Sequence, residues 1–523
     1  MKLIDPGRRT YVQIFLLTFF LCLLINSGSL NSQDAGYRLQ VTHWLWLHVP
    51  QVIGSGKAVG GFSAIGRSGN YYVTWGIGQS LVMLPGDMLA TFLIKLGHLK
   101  RLGGVIDGGL ISYTTFPLLN GLSICLACAI LRELNFSARD SVLGAFALLF
   151  GTTFLVYAQV QQENSLMFFC LLTGIWGNLR WLREGKWSYL LLGAAALGYG
   201  LLIRVPSIFD AAAVYLFIVG SFIIRKQRED QSFGSYAGHL FSYTVLFGLT
   251  YIPFIVADRL YQWFRFGSIT TTYSSIWGAQ MRAANPSLPA AFPFDRPFSE
   301  GFLGQLFSPD RSLFLFNPLV ILAVILLVRL WKVLDVQLKL WFFAAVFLLV
   351  ADISLYSKWF LWGGAGSWGP RYAVVPSEYL ALIAVPILLK YQNYISSAFE
   401  KAIYWALLAV SVFIQLLSVL FDYNLELSQE VTFNAKYVVV WHRMVNTWAI
   451  ATGSFTSSGL APNTDPSLLQ KYIRLSFMPW RTEGQFPARL SEMLQIFWVA
   501  AAVLFLAYLI TFLLRLRRAE FRN

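Results

Sequence analysis

The stretch that decides the fold is VTWGIGQSLVMLPGDMLATFLIKL, residues 73–96. About 20 helical residues at 1.5 Å each cover the roughly 30 Å of a bilayer's hydrocarbon, so the stretch is long enough to cross. Yet it carries Gly76, Gly78, Gln79, Pro85, Gly86 and Asp87. Those groups are costly in a helix that faces lipid. Whether it crosses sets the direction of every segment that follows.

Twelve further apolar runs occupy 11–26, 109–131, 141–160, 165–181, 187–203, 209–225, 238–260, 313–331, 338–356, 374–390, 401–421 and 493–515. Suppose all thirteen cross from a cytoplasmic N-terminus. The loops holding Arg180, Arg183 and Lys186, then Arg225, Lys226 and Arg228, then Arg329, Lys332 and Lys339, then Lys390 and Lys401, and the terminal Arg515, Arg517 and Arg518 all fall outside. Lys and Arg collect in cytoplasmic loops, so this assignment fails repeatedly. Treating 73–96 as an interfacial or re-entrant segment returns every one of these loops to the cytoplasm, although Lys95, Lys100 and Arg101 then sit outside. The expected fold is therefore an all-α polytopic transmembrane bundle of about twelve spans with both termini inside. Its long external loops, 27–108, 261–312 and 422–492, carry short interfacial helices, and smaller external turns fall at 161–164, 204–208 and 357–373.

Composition agrees with a membrane solvent. Of 523 residues, 56% are hydrophobic and 13% charged, against about 25% charged in soluble domains. Mean hydropathy is +0.58. The net charge of +14 belongs to topology rather than to nucleic acid, for which no binding module is recognisable. Cys22, Cys125, Cys128 and Cys170 all lie inside apolar runs, and Cys125-x-x-Cys128 lacks the second pair of a zinc site. The run from Tyr11 to Ile25 has no convincing cleavage site after it, so it is expected to stay as a first helix. No internal repeat is visible, which weighs against an inverted-repeat transporter.

Candidate chemistry gathers in the external segments. Asp34 opens the first loop a few residues past the first span, placed to accept a proton from an acceptor hydroxyl or to help hold a divalent cation. Its alternative is a helix cap before the amphipathic segment 37–49. Glu163, in the turn Gln161-Gln162-Glu163-Asn164, is a second external carboxylate and the other candidate for a divalent cation. Arg204, in Arg204-Val205-Pro206, and Arg371, in Pro370-Arg371-Tyr372, suit a lipid phosphate because guanidinium is permanently charged and binds bidentately. Arg67 and Lys57 in the first loop are further phosphate candidates. The glycines around Gly66–Gly78 make no nucleotide fingerprint and suggest a tight turn feeding a helix. Segment 261–312 is too polar to span and suits a cap over the site. The run Tyr437–Ile450, with Trp441, His442, Arg443 and Trp448, suits a helix along the interface. His43, His48, His98, His239 and His442 show no paired metal spacing, and no Ser elbow or Walker loop appears. His43 and His48 lie near Asp34 in sequence, although packing is the commoner role.

Asp34, then Tyr71 to Pro85, then Glu163, then Arg204-Val205-Pro206, followed by a long loop after the seventh span, resembles the GT-C superfamily of membrane glycosyltransferases. That superfamily includes the protein O-mannosyltransferases and the lipid A aminoarabinose transferases. The resemblance covers about the first 312 residues. It implies a catalytic module over 1–312 and a C-terminal transmembrane region over 313–523. It also implies transfer of a sugar from a polyprenyl-phosphate donor to a lipid, glycan or protein acceptor on the extracytoplasmic face, in the plasma membrane of a prokaryote. Asp34 matches the first-loop acidic residue of such enzymes. The usual Lys-Pro-Pro or Tyr-Pro-Pro is absent from 71–85, and Glu163 stands where Asp is common. The rival function is a secondary transporter or lipid flippase. A glycan polymerase or ligase would share the donor on a different fold.

Overall fold

The computed structural model describes residues 7–47, 63–96, 103–229, 232–364, 366–433, 437–455, 472–482 and 488–519. All thirteen apolar runs contain helix. In chain order the elements are α1 (Arg8–Ile25), α2 (Gln33–Leu47), β1 (Ser63–Ile65), β2 (Tyr71–Val73), α3 (Gly78–Leu96), α4 (Gly103–Glu133), α5 (Ala138–Gly151), α6 (Phe154–Gln159), α7 (Glu163–Glu184) and α8 (Trp187–Ile203). There follow α9 (Ile208–Arg228), α10 (Phe233–Phe266), α11 (Tyr273–Ala284), α12 (Phe298–Phe307), α13 (Leu313–Phe316), α14 (Pro318–Arg329), α15 (Val336–Ser357), α16 (Val374–Ala381) and α17 (Ala384–Lys390). The chain closes with α18 (Ala398–Ser418), α19 (Asn424–Phe433), α20 (Val439–Ala451), α21 (Met478–Arg481) and α22 (Ala488–Ala519). Among the described residues, nine helical stretches are long and apolar enough to cross a membrane. This is an integral membrane protein with an all-α bundle.

Contacts between α1 and α4 orient the bundle. Asn26 Nδ2 donates to the Ser112 carbonyl at 2.8 Å, and Cys125 Sγ to the Tyr11 carbonyl at 3.4 Å, so the two helices run antiparallel. The start of α4 therefore lies at the same end as the close of α1. That geometry constrains how residues 73–96 sit. By length α3 could cross, but Leu96 is only seven residues from Gly103, a reach of about 25 Å at most. Gly103 itself stands six residues, about 9 Å, beyond Gly109 at that end. Leu96 thus gets no deeper than about the middle of a bilayer. Gln79, Ser80, Gly86 and Asp87 turn inward and are buried, while Leu81, Met88, Leu89, Phe92 and Leu93 are exposed. Of the groups that are costly against lipid, the protein covers Gly78, Gln79, Gly86 and Asp87, while Gly76 is half-buried and Pro85 exposed.

With α3 set aside, the long helices from α7 to α18 alternate direction, α16 and α17 running together as one stretch. The basic turns after α7, α9, α14 and α17 gather at one end of the bundle, and the turns holding Glu163, Arg204 and Arg371 gather at the other.

Helix breaks inside the bundle expose backbone groups that no water can satisfy, and side chains take over. At the α5–α6 break Ser411 Oγ donates to the Gly151 carbonyl, and the Thr153 amide donates to Asn317 Oδ1. The same Ser411 Oγ accepts from the Leu319 amide near the start of α14. One hydroxyl thus ties two interrupted helices. The α7–α8 pair is closest, with small residues at its crossing as expected where lipid offers no hydrophobic drive. A Cβ on Gly193 would lie 2.6 Å from Asn178 Nδ2, and one on Gly177 would lie 2.6 Å from the Tyr189 carbonyl.

The external segments build a shelf over the site end. β1 and β2 pair antiparallel, Ser63 with Val73 and Ile65 with Tyr71. Gln280 of α11 then acts as a third strand, accepting from the Ile65 amide at 2.8 Å and donating to its carbonyl at 2.6 Å. Trp277 and Phe292 pack with Ala64, Trp359 and Phe360, which joins the 261–312 segment to the first loop. On α20, Trp441 and Trp448 are exposed while Arg443 and Asn446 are buried, so this helix is amphipathic as the sequence suggests.

Replacing Gly193 by Leu is expected to force α7 and α8 apart and cost about 1–3 kcal/mol, as overpacking does. Thermal unfolding of the purified protein in detergent checks this, with Gly234→Leu as control, because a Cβ on Gly234 meets nothing within 4 Å.

Candidate functional site

Four segments deliver charged side chains to one point. In α2, Asp34 and Arg38 are spaced i, i+4 and so share a face; both are buried. That helix is pinned to α3, because Ser80 Oγ donates to the Arg38 carbonyl at 2.8 Å and Thr42 Oγ1 to the Ser80 carbonyl at 3.0 Å. Glu163 is the first residue of α7, where the helix dipole favours an anion. Arg204 ends α8 in an extended conformation, φ −158°. Pro206 two residues later prevents the helix from running on. Arg371 opens a 3-10 turn before α16. The loop leading to it needs Gly364, whose φ of +77° suits glycine and whose Cβ would stand 2.6 Å from that of Arg371.

The side chains interlock. Arg371 Nη2 donates to Glu163 Oε1 and Oε2 at 2.8 and 2.9 Å, and also to Asp34 Oδ2. Arg38 Nη1 reaches Glu163 Oε2 at 2.7 Å and Gln79 Oε1 at 2.8 Å. Gln79 Nε2 in turn donates to the Gln161 carbonyl at 2.9 Å. Arg204 Nη1 stands 3.8 Å from Glu163 Oε1. Its guanidinium lies 4.7 and 4.6 Å from the ring centres of Tyr356 and Tyr372, which stack on each other. Burial by itself would raise the Glu163 carboxyl, but Arg371, Arg38 and Arg204 outweigh it and hold the group well below the usual carboxylate range.

Asp34, Glu163, Arg204 and Arg371 thus meet in one cluster. Arg67 does not join them: it is exposed in the hairpin turn, with its guanidinium 5.0 Å from the Trp263 ring centre. Lys57 and His48 lie outside the described residues. His43 pairs with Asp87 at 3.0 Å rather than with Asp34. Arg38, Gln79, Tyr356, Tyr372 and Asp352 were not selected from the sequence, although Arg38 carries a signal there, standing one helical turn after Asp34. Nor does the donor set fit a divalent cation. Arg371 already bridges the two carboxylates, two further guanidiniums surround them, and the described residues contain no group of three His, Cys, Asp or Glu able to hold a metal. A cation there would meet three positive charges.

Beside the cluster is a narrow cavity lined by Asn164, Arg204, Asp352, Tyr356, Arg371 and Tyr372. Only about 10 Å³ of it is open to water, about the minimum for one molecule. Anything larger enters only if Arg371 or the tyrosine pair shifts.

Residues 107–252 match the family model described as dolichyl-phosphate-mannose-protein mannosyltransferase. The match bears out the resemblance to GT-C membrane glycosyltransferases over a stretch that contains Glu163 and Arg204 but neither Asp34 nor Arg371. No curated protein matches the chain. Among solved structures, ArnT from Cupriavidus metallidurans in the apo state is similar, with 14% identity and a TM-score of 0.42, covering 85% of this chain and 69% of that one.

Replacing Glu163 by Gln leaves three guanidiniums facing one carboxylate and is expected to destabilise the fold by about 3–5 kcal/mol. Because the Glu163 carboxyl is depressed in the folded state, its contribution is complete above the ordinary glutamate range and is lost as pH falls through the folded value. Melting temperatures of both proteins measured from neutral to acidic pH should therefore converge only at the acidic end.

Proposed function

We propose that the protein transfers a sugar from a polyprenyl-phosphate donor to an acceptor at the extracytoplasmic face of the membrane. The observation that carries this is the set of three guanidiniums, Arg38 buried and Arg204 and Arg371 partly so, around Glu163 and Asp34 at the end of the bundle opposite the basic turns. The bias of Lys and Arg toward the cytoplasm supports reading that end as the outer one, and the family matched over 107–252 is named for a lipid-phosphate sugar donor.

The chemistry follows from the charges. The donor phosphate takes the place of a carboxylate on Arg204 and Arg371, so no new cation is required. Once Arg371 turns to the phosphate, Asp34 is released. The acceptor hydroxyl attacks the anomeric carbon, the bond from that carbon to the phosphate oxygen breaks, and the phosphate leaves with the electron pair. Asp34 takes the hydroxyl proton. The developing phosphate charge meets guanidiniums already in place and shielded from water, which is where electrostatic stabilisation is strongest. Tyr356 and Tyr372 hold Arg204 from the far side. Lipid, glycan and protein acceptors all offer such a hydroxyl or amine, and we assign the choice among them to the 422–492 loop.

A transfer assay with the purified chain in nanodiscs, a labelled polyprenyl-phosphate sugar and each acceptor class tests this. Asp34→Asn is expected to lower transfer per folded molecule by about 100-fold or more, and near-normal transfer by that variant would remove Asp34 from the reaction. Arg371→Lys, which keeps the charge but not the bidentate geometry, is expected to weaken donor binding. Movement of the donor across the bilayer with no transfer to any acceptor would favour a flippase and overturn the proposal.

A further inference from the structure

At the end of the bundle opposite the carboxylate and arginine cluster, residues of α1, α4, α7 and α8 enclose an open cavity of about 630 Å³. That lies within the roughly 300–1,000 Å³ of small-molecule sites, and the proposed transfer makes no use of it. Its inner wall is hydrocarbon and aromatic, with Leu126, Phe169 and Trp176. Leu122 and Leu192, also in the lining, are 45% and 48% exposed on the outer surface of the bundle, so the cavity opens sideways toward lipid.

Its mouth is basic. Arg132 ends α4, and Arg180 and Arg183 end α7. Glu133, the one carboxylate in the lining, accepts from Arg180 Nη1 and Arg183 Nη1, both at 3.1 Å. Glu184 pairs with Arg180 and with Lys186. Three cations, Arg180, Arg183 and Lys186, therefore share two anions. The Arg183 side chain is 56% exposed, so its fork of N–H groups is presented outward as well as to Glu133.

An apolar chamber open to the side, with guanidiniums at the level where helices leave the bilayer, has the polarity profile of an amphiphile. Basic pockets between helices bind anionic head groups, and guanidinium suits phosphate. A free anion would gain nothing from the hydrocarbon walls, and a neutral lipid nothing from the arginines. We infer that this cavity binds an anionic phospholipid, with its phosphate against Arg180 and Arg183 and an acyl chain along Phe169 and Trp176. The site stands on its own observations and is independent of the catalytic proposal.

Native mass spectrometry of the full chain in detergent, titrated separately with phosphatidylglycerol, phosphatidylcholine and inorganic phosphate, tests it. Phosphatidylglycerol is expected to be retained about fivefold more tightly than phosphatidylcholine, in keeping with one net charge at an interface. Inorganic phosphate should neither bind nor compete. The double variant Arg180→Gln, Arg183→Gln should lose the preference. Ala129→Trp, which fills the chamber and leaves every arginine in place, should lose the lipid altogether. Equal retention of the two lipids, competition by inorganic phosphate, or unchanged phosphatidylglycerol binding in either variant would overturn the inference. If a variant fails to fold, the comparison of lipids on the unmodified chain decides alone.

Discussion

Everything at the site end depends on Arg371 bridging Asp34 and Glu163. A buried ion costs several kcal/mol unless it is paired and hydrogen-bonded, so two carboxylates can be buried here only where guanidiniums come with them. The partners arrive from far apart in the chain: Arg38 from α2, Arg204 from the close of α8, Arg371 from the turn before α16. Each must be present for the others to be tolerable. The cluster therefore acts as a clasp between the first loop, the α7–α9 turns and the C-terminal region, and the shelf of β1, β2 and α11 is laid across it.

The clasp is also what makes the site chemically useful. Groups that neutralise one another in this closed arrangement are the groups a phosphate donor needs to separate, since a phosphate exchanges for a carboxylate at equal sign. The cavity next to Arg204 holds hardly more than one water, so under the proposed reaction donor entry and release of Asp34 would be a single event. A site that stays closed until the phosphate arrives also keeps water from the reacting carbon. Tyr356 and Tyr372 limit where Arg204 can go, which leaves Arg371, on its 3-10 turn beside Gly364, as the mobile member.

Charge segregation along the bundle axis gives the two ends different work. One end packs its arginines around two buried acids, while the other sets its arginines at the mouth of a hydrocarbon chamber. Both follow from the alternation of helix direction once α3 is taken out of the count of crossings.

The sequence by itself determined the solvent and the direction of the chain: thirteen apolar runs all became helix, and the basic turns sorted to one end because Lys and Arg report which side a loop occupies. It also singled out Asp34, Glu163, Arg204 and Arg371, since ionised groups are conspicuous in so apolar a chain. Only the tertiary structure decided their meeting, because pairing a charge from residue 34 with one from residue 371 depends on helix packing that no local pattern records. It likewise set Arg67 apart against Trp263, and brought Arg38, Gln79 and the two tyrosines to the site. The residues 73–96 show why: their polar groups looked unaffordable against lipid, and α2 and α4 supply the cover that a sequence cannot display.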